Sequence, residues 1–128
     1  MGSEQDIIEL ILPFKAEYVS LARLAVSSVA NRMGFDMEAI EDIKVALSEV
    51  CNKLVGMGNG EGKYRIRFCI SGKKLQIEFY SENQTLGCIF EGDEELGISI
   101  INALMDEVEL CSDKDYIISM SITLKGDI

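Results

Sequence analysis

Between Asp36 and Val55 apolar residues recur at helical spacing, and from Tyr64 to Phe79 they recur at every second position. That change of period obliges a long amphipathic helix and a strand pair to share one core. At steps of about 100° per residue, Ile40, Ile43, Leu47, Val50 and Leu54 fall on one stripe, and Asp42, Glu49 and Lys53 lie roughly opposite. The stripe predicts a core face and the opposite side an outward face, so the chemistry of this helix is expected at Glu49 and Lys53. Asp36 stands where a carboxylate can accept a free backbone N–H of the first turn, a cap contributing about 1 kcal/mol. Downstream, Tyr64, Ile66, Phe68 and Ile70 alternate with Arg65, Arg67 and Cys69, the pattern of a half-buried strand. Leu75, Ile77 and Phe79 against Gln76, Glu78 and Tyr80 predict its return strand through a turn at Gly72-Lys73.

The flanking elements read in the same way. Ile7 to Leu12 is a short apolar run closed by Pro13, the only proline, and predicts a first strand. Tyr18, Leu21, Ala22, Ala25, Val29 and Met33 predict a first helix over 16–33, stopped by Gly34. Residues 56–62 form a turn region, and Glu107 to Cys111 with Tyr116 to Leu124 predict a second hairpin around 112–115. Repeats, low-complexity tracts and linkers are not found. An α+β architecture with helices stacked on one face of a largely antiparallel sheet is the economical solution. With 128 residues and 48% hydrophobic content, a single domain over 1–128 is expected.

A formal charge of −10 argues against nucleic acid, whose phosphates need clustered Lys and Arg. A basic protein partner fits better, although an acidic surface also serves solubility alone. Cys51, Cys69, Cys88 and Cys111 are widely spaced and no histidine accompanies them, so reduced thiols and no metal site are expected. No apolar run reaches membrane-spanning length and no signal-peptide pattern opens the chain, so a cytoplasmic protein without membrane contact is expected. Asp6 stands where a myristoylation motif needs Ser or Thr.

Three stretches carry a resemblance through their order and spacing: Ala22-Arg23, IEDIKVALSEVC at Ile40 to Cys51, and Gly97 followed by ALMDEVEL at Ala103 to Leu110. The chain resembles, over most of its length, the bacterial anti-sigma factor serine kinases of the histidine-kinase-like ATPase superfamily, which have the Bergerat fold. The resemblance implies a two-layer α/β sandwich with three helices on one face of a largely antiparallel mixed sheet. It implies a nucleotide pocket between the second helix and the loops after it, and an ATP-dependent serine/threonine kinase acting on an anti-sigma antagonist. It also implies binding of a sigma factor through a dimer surface that includes the first helix, with Arg23 where the family places a partner-contacting arginine. A solvated Arg on an amphipathic helix is the alternative for Arg23.

Position by position, the implied pocket is degenerate. The family's base is matched by Glu49, but the Asn that holds magnesium four residues later is Lys53. An ammonium repels the cation and suits an ion pair with Glu49 one turn away. The family's Asp-x-Gly for adenine falls on Ser81 and Asn83, which lack the carboxylate acceptor and read equally as a turn. Of the phosphate-binding glycines only Gly97 keeps its place, while Glu94 and Glu95 put negative charge at the helix start. Thirteen residues separate Asn83 from Gly97, short for a lid over ATP. The expected function is therefore that of a pseudokinase: an anti-sigma-like regulator, homodimeric, binding a sigma factor or an antagonist without ATP, magnesium or another cofactor. Glu49 would then be a vestigial base. The alternatives are a working serine/threonine kinase that uses magnesium and ATP, and a pocket repurposed for another small ligand.

Overall fold

A computed structural model describes residues 5–58, 61–81, 95–110 and 117–124. Its elements are β1 (Asp6–Pro13), a 3-10 turn (Ala16–Tyr18), α1 (Val19–Met33), α2 (Met37–Met57), β2 (Lys63–Ser71), β3 (Lys74–Ser81), α3 (Glu95–Leu104), β4 (Glu107–Leu110) and β5 (Ile118–Thr123). The strands form one sheet in the order β1-β2-β3-β5-β4, and every described pairing is antiparallel. The three helices cover one face of it, in an α+β two-layer arrangement.

The period change does what it must. Tyr64, Ile66 and Phe68 of β2, Leu75, Ile77 and Phe79 of β3, and Ile118, Met120 and Ile122 of β5 share one face and are buried. Ile43, Ala46, Leu47, Val50, Cys51 and Leu54 of α2 close onto the same cluster, each buried large apolar side chain contributing about 1.5–3 kcal/mol. α1 contributes Ala22, Val26, Val29 and Ala30. Val26 and Ala30 complete a stripe in which Leu21, expected inside, is exposed. Residues 16–18 form a separate 3-10 turn rather than the first turn of α1.

Gly34 adopts φ 104, and the N–H groups of Gly34 and Phe35 both return to the Ala30 carbonyl, closing α1 with a left-handed cap. Asp36 then accepts the Ala39 N–H at 2.8 Å. Three residues thus reverse the chain between two packed helices. Gly72, at φ 60, makes the tight turn that sets Ser71 opposite Lys74.

The sheet's other face is polar. Cross-strand rows read Ile7, Cys69, Gln76, Ser121, Glu107 and Glu9, Arg67, Glu78, Ser119, Glu109. Tyr80 donates its hydroxyl to Glu78 at 2.7 Å, and Gln76 donates to both Glu78 and Ser119.

Replacing Asp36 by Ala is expected to cost about 1 kcal/mol in denaturant unfolding, with Ser restoring most of it, because the Ala39 N–H is left without its acceptor.

Candidate functional site

α2 lies between α1 and α3. Lys44 meets α1, where Ser20, Arg23, Leu24 and Ser27 join it in lining a surface groove of about 250 Å3. Asp42, Glu49 and Lys53 sit roughly 140–180° around the helix from Lys44, so they occupy the flank on α3's side. All three are half-buried, which corrects the expectation of an outward face. They stand about 90–130° from the centre of the buried stripe, at its margin. The exposed side belongs to Glu38, Glu41, Val45 and Asn52.

The sequence-predicted site residues divide accordingly. Glu49 and Lys53 share one flank, a single turn apart, and Gly97 lies near the start of α3 on the neighbouring helix. Among the described residues no ion pair joins Glu49 to Lys53, and Lys53 is engaged elsewhere. Ser81 is the last residue of β3, paired with Tyr64, so it belongs to the strand rather than to a turn. Asn83, Glu94, Cys88 and Cys111 lie outside the described residues, as does the segment between Asn83 and Gly97 apart from its last two positions. Glu95 opens α3.

The second feature is the α1–α2 groove. Arg23 and Leu24 are exposed on its α1 wall, Leu24 at 68%. Lys44 projects from the other wall and forms an ion pair with Glu41 at 3.0 Å. Sequence reasoning had singled out Arg23 alone. The cue for Lys44 was present, since it sits one position from the core residue Ile43. Only the packing of α1 on α2 brings it beside Arg23.

Behind α2, among the described residues, the core holds a polar pair. The Tyr64 hydroxyl is buried without a hydrogen bond of regular geometry, beside the Cys51 thiol. Its ring packs on Phe14 with centroids 5.2 Å apart. A Cβ at Gly58 would come within 2.8 Å of the Phe14 ring, so Gly58 lets the end of α2 sit over it. Burial pushes the Cys51 thiol from its ordinary 9.0 up to about 12, the neighbouring hydroxyl opposing this weakly. Burial and the Cys51 charge both raise the Tyr64 phenol. Cys51 and Cys69 are free, buried thiols, as composition led us to expect.

Both groups resist ionisation only when folded. Their contribution is complete below the unfolded thiol's value near 9.0 and is lost as pH rises toward about 12. Unfolding free energy is expected to fall above pH 9 by at most about 1.4 kcal/mol per pH unit for each group. Urea midpoints across that range should show it, with the fall reduced in Cys51→Ala.

A histidine kinase-like ATPase domain model matches residues 12–122. The chain is 33% identical to the serine-protein kinase RsbW of Bacillus pumilus over 144 aligned positions, covering 94% of this chain and 88% of that protein. It is 34% identical to the RsbW of Listeria monocytogenes over 140 positions, with 94% and 89% covered. For the RsbW of Halalkalibacterium halodurans the figures are 30% over 142 positions, with 97% and 87% covered. Each alignment is longer than the 128-residue chain, so each relative carries residues with no counterpart here. No helix among the described residues is long and apolar enough to cross a membrane.

Proposed function

Because the chain belongs to the histidine-kinase-like ATPase family, and within it to the anti-sigma factor serine kinases, we propose that it is a regulator that works by binding protein and has lost the ATP-dependent kinase step. The observation that carries this reading is Lys53, half-buried one turn after Glu49 on the flank beside α3. The resemblance puts a magnesium-bearing Asn there. An ammonium has three donors and no acceptor, so it offers the metal no oxygen and adds repulsion. The residues present do not fit a magnesium-bound triphosphate. Ser81 and Asn83 in the adenine positions, and Glu94 and Glu95 at the phosphate end, weaken the pocket in the same direction. The surplus length of the relatives is consistent with a shortened lid, which the thirteen residues between Asn83 and Gly97 make short in sequence. Glu49 is then a vestigial base and Gly97 a residual phosphate-loop glycine. No ATP, magnesium or other cofactor is needed.

The α1–α2 groove supports the binding half of the proposal. Arg23 and Lys44 flank an exposed Leu24. Arg23 and Lys44 around an apolar residue suit an acidic amphipathic segment at this groove, in place of the basic partner that net charge alone suggested, with the guanidinium meeting a carboxylate bidentately. By family analogy the partner is a sigma factor or an anti-sigma antagonist, bound by a homodimer in the cytoplasm. Residues 1–128 act as one domain in this reading, without nucleic acid or membrane.

A second reading, an active serine/threonine kinase, draws on retained Glu49 and Gly97 and on the kinase names of the relatives. A melting experiment separates the two. Magnesium-ATP at a hundredfold over a dissociation constant stabilises a true binder by about 2.7 kcal/mol. No shift at millimolar magnesium-ATP is expected, and none for Lys53→Asn, because Ser81, Asn83 and Glu94 remain. A clear nucleotide-dependent shift in either protein would favour the kinase.

Capture of sigma factors and antagonist-like proteins from the native cytoplasm tests the binding half. Arg23→Ala and Lys44→Ala are each expected to weaken capture by roughly tenfold or more, the cost of one charge-assisted contact. Both substituted proteins should melt like the parent. Capture unaffected by both substitutions would remove the groove from the proposal.

A further inference from the structure

We propose that Ser20 is a phosphorylation site, and that its phosphate is held between Arg23 and Lys44, closing the α1–α2 groove to an acidic partner. The inference rests on the preceding reading for what the groove binds, and it adds how that binding is switched off.

Two serines line the groove, and of these Ser20 is exposed while Ser27 is half-buried. A modifying enzyme needs the hydroxyl within hydrogen-bond reach of its base, which the exposed serine allows. The Ser20 hydroxyl donates to the Glu17 carbonyl at 3.5 Å, a long bond whose loss costs little. Arg23 follows one turn along α1, and Lys44 projects from the facing helix. A phosphate on Ser20 therefore stands beside cations from two elements. It carries about −1.5 to −2 charges and three acceptor oxygens, two of which suit a guanidinium fork. The acids nearby are Glu17, in the 3-10 turn, and Glu41, which Lys44 meets at 3.0 Å. An ammonium has three donors, so Lys44 can turn to a phosphate and keep Glu41.

The start of α1 favours the same charge. Tyr18 precedes α1 without a side-chain capping bond and the first turn of the helix holds no acid, whereas α2 opens on the Asp36 cap and Glu38. A dianion at Ser20 supplies negative charge to a helix end that has none within its first turn. With the phosphate in place, Arg23 and Lys44 are neutralised from within the chain, and an acidic segment meets repulsion where it would have met two cations. The step is a transfer from a nucleoside triphosphate by a separate protein serine kinase. The Ser20 oxygen forms the new O–P bond, the bond to the nucleoside diphosphate breaks, and the hydroxyl proton passes to that kinase's base.

The full chain carrying phosphoserine at position 20, made by translational recoding, tests the contact by phosphorus NMR titration. Its midpoint should lie about half a unit or more below the value of about 6 for a free phosphoserine, and should return toward that value in Arg23→Ala and in Lys44→Ala. The phosphorylated protein should capture sigma factors and antagonist-like proteins roughly tenfold less than the parent, and phosphatase treatment should restore capture. In protein isolated from its own growing and starved cells, the tryptic peptide 16–23, whose one serine is Ser20, should carry an added phosphoryl group that fragmentation places on that serine. A midpoint at the free value that ignores both substitutions, capture indifferent to the phosphate, or peptide 16–23 found only unmodified in both growth states would each overturn the proposal. A parent that captures nothing would instead sink the preceding reading, while the titration and the peptide still decide Ser20.

Discussion

The apolar stripe of α2 against the alternating inner faces of β2 and β3 is the contact on which the remaining geometry depends. Ile43, Leu47, Val50 and Leu54 meet a surface built from Tyr64, Ile66, Phe68, Leu75, Ile77 and Phe79, all of them fully buried. Two periodicities that differ along the chain are satisfied by one core. Once that stripe is pressed onto the sheet, the rotational setting of α2 is fixed. One flank must then face α1, the other α3, and the back must face water. Glu49 and Lys53 owe their half-buried setting to that constraint, and Lys44 owes to it its place beside Arg23.

The same constraint separates two surfaces that carry different chemistry. On the α3 side, the position one turn after Glu49, where the resemblance puts an oxygen ligand, holds the Lys53 ammonium; in the proposed reading the helix keeps its shape without its nucleotide chemistry. Fold and site are independent here: burial sets the helix, whereas metal binding depends on one side chain that burial does not select. On the α1 side, cations and an exposed leucine line a groove in a chain that is otherwise strongly acidic. The proposed reading treats the two surfaces separately, since they lie on opposite flanks of one helix and share only its core.

Much of the architecture was legible because hydrophobic period is a local signal. The start of α2, the β2–β3 hairpin, the Gly34 stop and the Asp36 cap all follow from nearest neighbours in sequence, whereas α2 runs on through Gly56 to Met57, two residues into the stretch expected to turn. The misplacements have equally local causes. Tyr18 suggested one continuous helix from residue 16, but the chain makes a 3-10 turn first. Leu21 fits the helical spacing, yet nothing in a sequence says how wide a stripe the sheet will cover, and Leu21 falls just beyond it. Ser81 resembled a turn residue because Ser commonly caps or turns, but its pairing with Tyr64 keeps it in the ladder.

By itself the sequence determined the elements, the family they belong to and the identity of the group at each pocket position, because these depend on side-chain type and spacing along the chain. The insertion of β5 between β3 and β4, the exposure of the β1 edge and the meeting of Arg23 with Lys44 were decided only in three dimensions. Each of these depends on which residues far apart in sequence become neighbours. That choice is made by burying all the apolar faces at once, and no local pattern encodes it.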